Sequence, residues 1–160
     1  MDLEAKKIAL RKIPHGVYIV GAAHNGQLNA FTATWFTQVS FTPPLVALGI
    51  KKDSHSFEMI KGGGVFSVNL LGKEGKPIAE HFVKPAHVIG EKLQTVRYRT
   101  GTTGAPILEE AIAHVECRVR EIANQHGDHA VVIGEVVEAG VAQKEAPALT
   151  LLETGWHYGG

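Results

Sequence analysis

Residues 25–57 read NGQLNAFTATWFTQVSFTPPLVALGIKKDSHSF, and this stretch decides the fold. Asn25-Gly26 is the strongest short signal for a β-hairpin. A long strand follows, then the Pro43-Pro44 corner, a second strand, and a loop carrying lysines, serines and a histidine. At the strand period of two, Phe31, Ala33, Trp35, Val39 and Phe41 share one face and are expected in the core. Thr32, Thr34, Gln38 and Ser40 share the other face, with Phe36 among them. A row of hydroxyls and an amide on so apolar a strand needs either water or a polar ligand. A ligand is the expectation.

The whole chain sets the frame. Its 160 residues suit a single domain with a real core, spanning residues 1–160. Lys plus Arg and Asp plus Glu are balanced at 16 each, so no net basic field gathers nucleic acid. The N-terminus MDLEAKKIALRKIP is charged and amphipathic, unlike a signal peptide. No apolar run approaches the ~20 residues of a membrane helix. One cysteine, Cys117, forms no internal disulfide and suits a reducing, cytoplasmic setting.

Outward from the opening stretch, residues 2–12 predict a short helix, and Val17–Ala23 a strand that pairs across the Asn25-Gly26 turn. Leu45–Ile50 is apolar throughout, as expected of a strand buried on both faces. Gly62-Gly63-Gly64 stops a short helix over Phe57–Ile60, and Val65–Leu71 is a further strand. Pro77–Val83 fits a short helix opened by proline. Residues 84–104 form a long glycine- and threonine-rich excursion. His114–Ile122 alternates, with Val115, Cys117 and Val119 inward and Glu116, Arg118 and Arg120 outward. Ala130–Ala139 is another strand, and Ala148–Leu152 with Trp156–Tyr158 gives a last strand and tail. This is a mostly β, antiparallel barrel with short helices, without a βαβ rhythm.

Ser54 can cap the helix that follows it. Equally, Ser54, Ser56, the first free N–H groups and Lys51 or Lys52 can converge on a phosphate, which the helix dipole favours. Phosphate at one end and a hydrogen-bonded planar group along the strand describe a nucleotide-like cofactor. The nine histidines show no metal-ligand spacing, so no metal is expected. Cys117 reads as a small buried hydrophobe, and Glu109-Glu110 as a solvated turn. In Gln125–His129 a glycine turn joins two strands. His129 is either a strand-start side chain or a donor toward an anionic cofactor or substrate.

Together, NAFTATWFTQVSFTPPLVALGI, KKDSHSF, VFSVNLL, GAPILEE and the Gly127-Asp128-His129 tripeptide before a strand resemble the flavin reductase family, with its FMN-binding split-barrel fold. The resemblance implies an NAD(P)H-dependent flavin reductase working on FMN (or FAD), a cytoplasmic homodimer with the flavin near the subunit interface, and a separate oxygenase or redox-protein acceptor. It places Asn29, Ala30, Thr32, Thr34, Gln38, Val39 and Ser40 along the ring and ribityl chain. Lys51, Ser54, His55 and Ser56 go to the phosphate, with Asn69 and Phe82 as neighbours. His129 goes to the nicotinamide or flavin side. Two rivals remain within the fold: a tightly bound FMN electron carrier fed by a protein donor, and a non-enzymatic module for another phosphorylated ligand.

Overall fold

The computed structural model describes residues 1–84 and 86–160. Helix α1 (Leu3–Arg11) starts at Asp2, whose carboxylate accepts from the N–H groups of Glu4 and Ala5, the usual cure for unpaired N–H groups at a helix start. The first four strands are β1 (Tyr18–His24), β2 (Gln27–Ala33), β3 (Phe36–Ser40) and β4 (Leu45–Lys51). Helix α2 (His55–Gly63), strand β5 (Val65–Leu70) and helix α3 (Lys76–Val83) come next. The chain ends with β6 (Tyr98–Thr100), β7 (Pro106–Leu108), β8 (Ala113–Ala123), β9 (His129–Val141) and a single turn of helix, α4 (Leu151–Thr154). The β1–β2 hairpin turns on Asn25 and Gly26, both at positive φ (49° and 74°), which suits a two-residue loop between twisted strands.

Seven strands form one antiparallel sheet in the order β2-β1-β5-β8-β9-β4-β3, and β6 pairs with β7 separately. A flat sheet of seven strands would hold its edges about 29 Å apart. Yet the edge strands β2 and β3 are joined by Thr34 and Trp35 alone, a connection that reaches at most about 11 Å. The sheet must therefore curl until its edges approach at that link. Among the described residues no backbone pairing joins β2 to β3. The expected antiparallel sheet with short helices is present, but its closure into a barrel is not.

Two apolar clusters hold the sheet. In the first, Phe57, Met59 and Ile60 of α2 pack with Val20, Leu48 and Phe66. In the second, Ala79 and Phe82 of α3 pack with Ile19, Leu71 and Leu149. Each large side chain buried in this way stabilises by roughly 1.5–3 kcal/mol.

Several sequence expectations fail for identifiable reasons. The long strand after Asn25-Gly26 is two strands, because the chain crosses from one sheet edge to the other at Thr34-Trp35. Val39 and Phe41, expected inside, are 51% and 89% exposed on the far side of that break. β4 alternates instead of burying both faces: Val46, Leu48 and Ile50 are buried, and Leu45, Ala47 and Gly49 only half so. The expected last strand reduces to isolated bridges at Ala148 and Thr150 followed by α4. The 84–104 excursion, apart from residue 85, carries one short 3₁₀ segment (Glu91–Thr95) and β6.

Glu116, expected to face outward, is fully buried. The register shifts between Glu116 and Cys117 opposite β9, and Gly101, in the loop after β6, packs against the carboxylate. That carboxylate accepts from the N–H of Thr102 (3.1 Å) and from the N–H and hydroxyl of Thr103 (2.8 and 2.7 Å). Burial alone would raise its pKa, but donation from Thr103 and Thr102 outweighs burial and holds the carboxyl below its ordinary value. A lowered folded-state pKa gives stability that is present above the unfolded value and lost as pH falls through the folded one. Glu116→Gln should therefore cost roughly 1–3 kcal/mol at neutral pH. The gap to wild type should close in acid, as followed by melting temperature from pH 7 down to pH 3.

Candidate functional site

The seam where the sheet edges approach opens into a cavity of about 460 Å³. Its walls come from four places. Thr32 and Thr34 stand at the end of β2, and Gly49 to Lys51 at the end of β4. Ser54 and Ser56 stand at the start of α2. The fourth wall combines Phe82 and Val83 of α3 with the C-terminal tail.

At one end, Ser54 is a true helix cap. Its hydroxyl accepts from the N–H of Phe57 (3.1 Å) and donates to the carbonyl of Lys51 (2.8 Å). The first N–H groups of α2, at His55 and Ser56, have no acceptor within the helix. Ser56 is buried, and Asn29 donates to its hydroxyl at 3.1 Å. Lys51 reaches the rim, 3.8 Å from Asp53 in an exposed pair. N–H groups, a hydroxyl and an ammonium at a nine-residue helix start favour a phosphate.

At the other end, Thr32 donates to the carbonyl of Ala79 (2.8 Å) and is spent on holding α3. Thr34 is different. Its hydroxyl is buried and has no hydrogen-bond partner among the described residues. Leaving such a group unpaired costs about 1–3 kcal/mol. A hydroxyl orphaned on a cavity wall fits a polar ligand that completes it.

Beside Thr34 stands Trp35, which the strand pattern had assigned to the core. It covers Gly49 so closely that a Cβ there would lie 3.1 Å from the Trp35 side chain. Over Trp35 lie His129 and Tyr158, with ring centroids 4.7 and 5.0 Å away. His129 sits opposite Lys51 in the β4–β9 register. Its Nδ1 meets the Asp128 carboxylate at 2.8 Å and its Nε2 the Tyr158 hydroxyl at 2.8 Å. The hydrogen bond from His129 holds the Asp128 carboxyl below its ordinary value. An ionised carboxylate only accepts, so Nδ1 carries the proton. In the neutral ring Nε2 then accepts from Tyr158. Burial pushes the Tyr158 phenol up, with the Asp128 charge adding to it, so the hydroxyl keeps its proton.

The tail is fastened at both ends. Thr150 and Glu153 form a reciprocal cap on α4, and Lys73 pairs with Glu153 at 3.3 Å. Arg11 Nε donates to the carbonyl of Gly159 at 3.2 Å.

Of the residues expected at the site, Thr32, Thr34, Lys51, Ser54, Ser56 and Phe82 line the cavity. His129 reaches it through Trp35 and Tyr158. Asn29 lies behind Ser56 and accepts from the N–H of Gly90. Ala30 is packed in the second apolar cluster. Gln38, Val39 and Ser40 lie on β3 outside the lining, with Gln38 donating to the carbonyl of Ser40. The His55 side chain points to solvent. Asn69 is fully buried, donates to the carbonyls of Ile19 and Pro106 and accepts from the N–H of Leu108. Its polar atoms are spent on holding β1, β5 and β7 together. The sequence reading missed Trp35 and the tail residues Trp156 to Tyr158 as cavity walls. The aromatic cluster GWHY was their only local signal.

Other chemistries have little to build on. Burial pushes the Cys117 thiol up to about 12, so it stays protonated. No group of three metal-ligating side chains occurs among the described residues. No helix among them is long and apolar enough to cross a membrane.

Residues 10–159 match the model of the flavin reductase like domain. The chain is 32% identical over 161 residues to a flavin reductase of Pseudomonas putida, covering all of this chain and 91% of that one. It is 30% identical over 153 residues to the reductase component of a Thermus thermophilus 4-hydroxyphenylacetate 3-monooxygenase, covering 96% and 94%. Among solved structures, it is similar to an NADH:FAD oxidoreductase of Streptomyces globisporus in complex with NAD and FAD fragments. There the TM-score is 0.83, with 26% identity and coverage of 98% and 90%. Other relatives are longer: the chain spans 42% of a probable flavin reductase of Rhizobium meliloti and 25% of a Synechocystis diflavin flavoprotein. With the model matched over nearly its whole length, the chain belongs to the flavin reductase-like family.

Proposed function

We propose that the protein is an NAD(P)H:flavin oxidoreductase of the FMN reductase type, built on the family's FMN-binding split barrel. The observation that carries this reading is the pairing, in one cavity, of an unpartnered buried hydroxyl at Thr34 with an open helix start at Ser54–Ser56. One end suits the polar edge of a flavin ring and the other its phosphate. When bound, flavin supplies the redox chemistry, taking hydride at N5 from a nicotinamide and passing electrons onward.

The chain's own residues bind, orient and shield. Thr34 hydrogen-bonds the ring edge. Ser56, the α2 N–H groups and Lys51 hold the phosphate. Trp35 and the tail keep water from the reacting face. His129, fixed through Asp128 and Tyr158, presents its ring toward the nicotinamide. No side chain acts as acid or base in the hydride step.

A homodimer suits this arrangement. Val39 and Phe41 at the β3 edge, and Val131 on β9 beyond β4, leave exposed apolar surface for a second copy. That copy would also cover Gln38 and Ser40. A separate oxygenase or redox protein is the proposed acceptor, since one relative is the reductase component of a monooxygenase.

The direct test is NADH or NADPH oxidation by the purified protein with and without added FMN. Flavin-dependent oxidation is expected, and its absence with both nucleotides contradicts the reading. Thr34→Val separates stability from binding. The ligand-free variant should melt higher than wild type, because the orphaned hydroxyl is gone, and should bind FMN roughly 3–10-fold more weakly. His129→Ala should raise KM for the nicotinamide nucleotide more than Kd for FMN, and unchanged steady-state parameters would remove its assigned role.

A further inference from the structure

Asn29, expected along a flavin ring, stands on β2 with its side chain tied to two distant parts of the chain. Its Oδ1 accepts from the backbone N–H of Gly90 at 3.2 Å, and its Nδ2 donates to the Ser56 hydroxyl at 3.1 Å. A backbone N–H can only donate, so the amide oxygen must face Gly90 and the NH₂ must face Ser56. Ser56 Oγ therefore receives a hydrogen bond, while its own proton has no acceptor among the described residues. Ser56 is buried, and it stands on the wall of the cavity.

Gly90 is held where this arrangement requires it. Its φ is 79°, and a Cβ there would lie 2.6 Å from the carbonyl oxygen of Leu28, so the loop and β2 meet backbone to backbone. Next to it, the Glu91 carboxylate accepts from the N–H groups of His87 and Val88 at 2.8 and 3.3 Å. Beyond, Leu93 is buried in the second apolar cluster, and Lys92 Nζ donates to the carbonyl of Phe82 at 3.2 Å. The 84–104 excursion, to which the proposed chemistry gives no part, thus starts a run of hydrogen bonds from Gly90 through Asn29 to Ser56.

We propose that Asn29 is a positioning residue for the ligand phosphate: clamped by Gly90, it occupies a lone pair of Ser56 Oγ and makes that hydroxyl a donor toward the cavity. This rests on the oxidoreductase reading above and deepens it. The Ser56 O–H, the free α2 N–H groups and Lys51 then offer only protons. Such an end suits a phosphate, whose oxygens accept, over an alcohol, which must also place a proton of its own.

Quenching of flavin fluorescence reads this role in Asn29→Asp, Asn29→Ala and Ser56→Ala, with FMN and riboflavin as probes. The carboxylate of Asn29→Asp still accepts from Gly90 but cannot donate, so the Ser56 hydroxyl turns to donate to it. FMN affinity should fall roughly 10–100-fold, and riboflavin affinity should change by less than about threefold. Asn29→Ala should weaken FMN binding roughly 3–10-fold when Ser56 is present, and not in a Ser56→Ala background, where no hydroxyl remains to be oriented. Melting temperature of the ligand-free variants checks the fold. If Asn29→Ala does not fold, Asn29→Asp carries the same comparison, with a smaller FMN loss expected in the Ser56→Ala background. Unchanged FMN affinity, equal losses of FMN and riboflavin, or equal FMN losses with and without the Ser56 hydroxyl overturn the proposal and leave the oxidoreductase reading standing. If the wild type binds FMN no better than riboflavin, the phosphate placement falls and this proposal falls with it. The expected variant pattern without flavin-dependent NAD(P)H oxidation would instead sink the enzyme reading and leave the role of Asn29 standing.

Discussion

The structure depends on a two-residue link. Thr34 and Trp35 join the opposite edges of a seven-stranded sheet, and a link of at most about 11 Å forces those edges together. The curl that follows puts α2 against the sheet interior. It also brings the ends of β2 and β4, the start of α2 and the end of α3 to one place. The cavity is a consequence of that curl. Thr34 stands at that seam, buried, with no hydrogen-bond partner for its hydroxyl among the described residues.

Around the seam, structure and site share the same atoms to different degrees. Thr32 and Asn69 carry polar side chains, but each is saturated by carbonyl or N–H partners within the fold. Ser54 is mostly consumed by capping. Thr34, the α2 N–H groups and Lys51 retain capacity for a ligand. The distinction matters because a polar residue in an apolar setting signals function only when its hydrogen bonds are not already made. Glu116 shows the other outcome: a buried carboxylate that looks reactive in isolation is fully used in pinning the loop after β6.

The local features were legible in the sequence. Asn25-Gly26 fixes its hairpin through turn chemistry alone, Ser54 caps α2 as a serine before an apolar run should, and Gly64 ends that helix. Alternation also found the strands. It failed where the chain changed partners without changing pattern. Period two continues unbroken through Thr34-Trp35, so Val39 and Phe41 were assigned to a core that lies on the other side of the break. A register shift hid Glu116 in the same way. The tail was illegible because its role comes from packing: Tyr158 reaches His129 and Trp35 across 29 and 123 residues of chain. Family resemblance pointed to His129, but the geometry adds what holds it, Asp128 on one nitrogen and Tyr158 on the other.

In the proposed complex the seam holds a flavin with its ring end at Thr34 and its phosphate at the start of α2. Comparing FMN with riboflavin by quenching of flavin fluorescence tests it most directly, since the two differ only by the phosphate. FMN should bind about tenfold more tightly or better, with an advantage that shrinks as salt is added. Equal affinity for the two, or no binding of either, would contradict it.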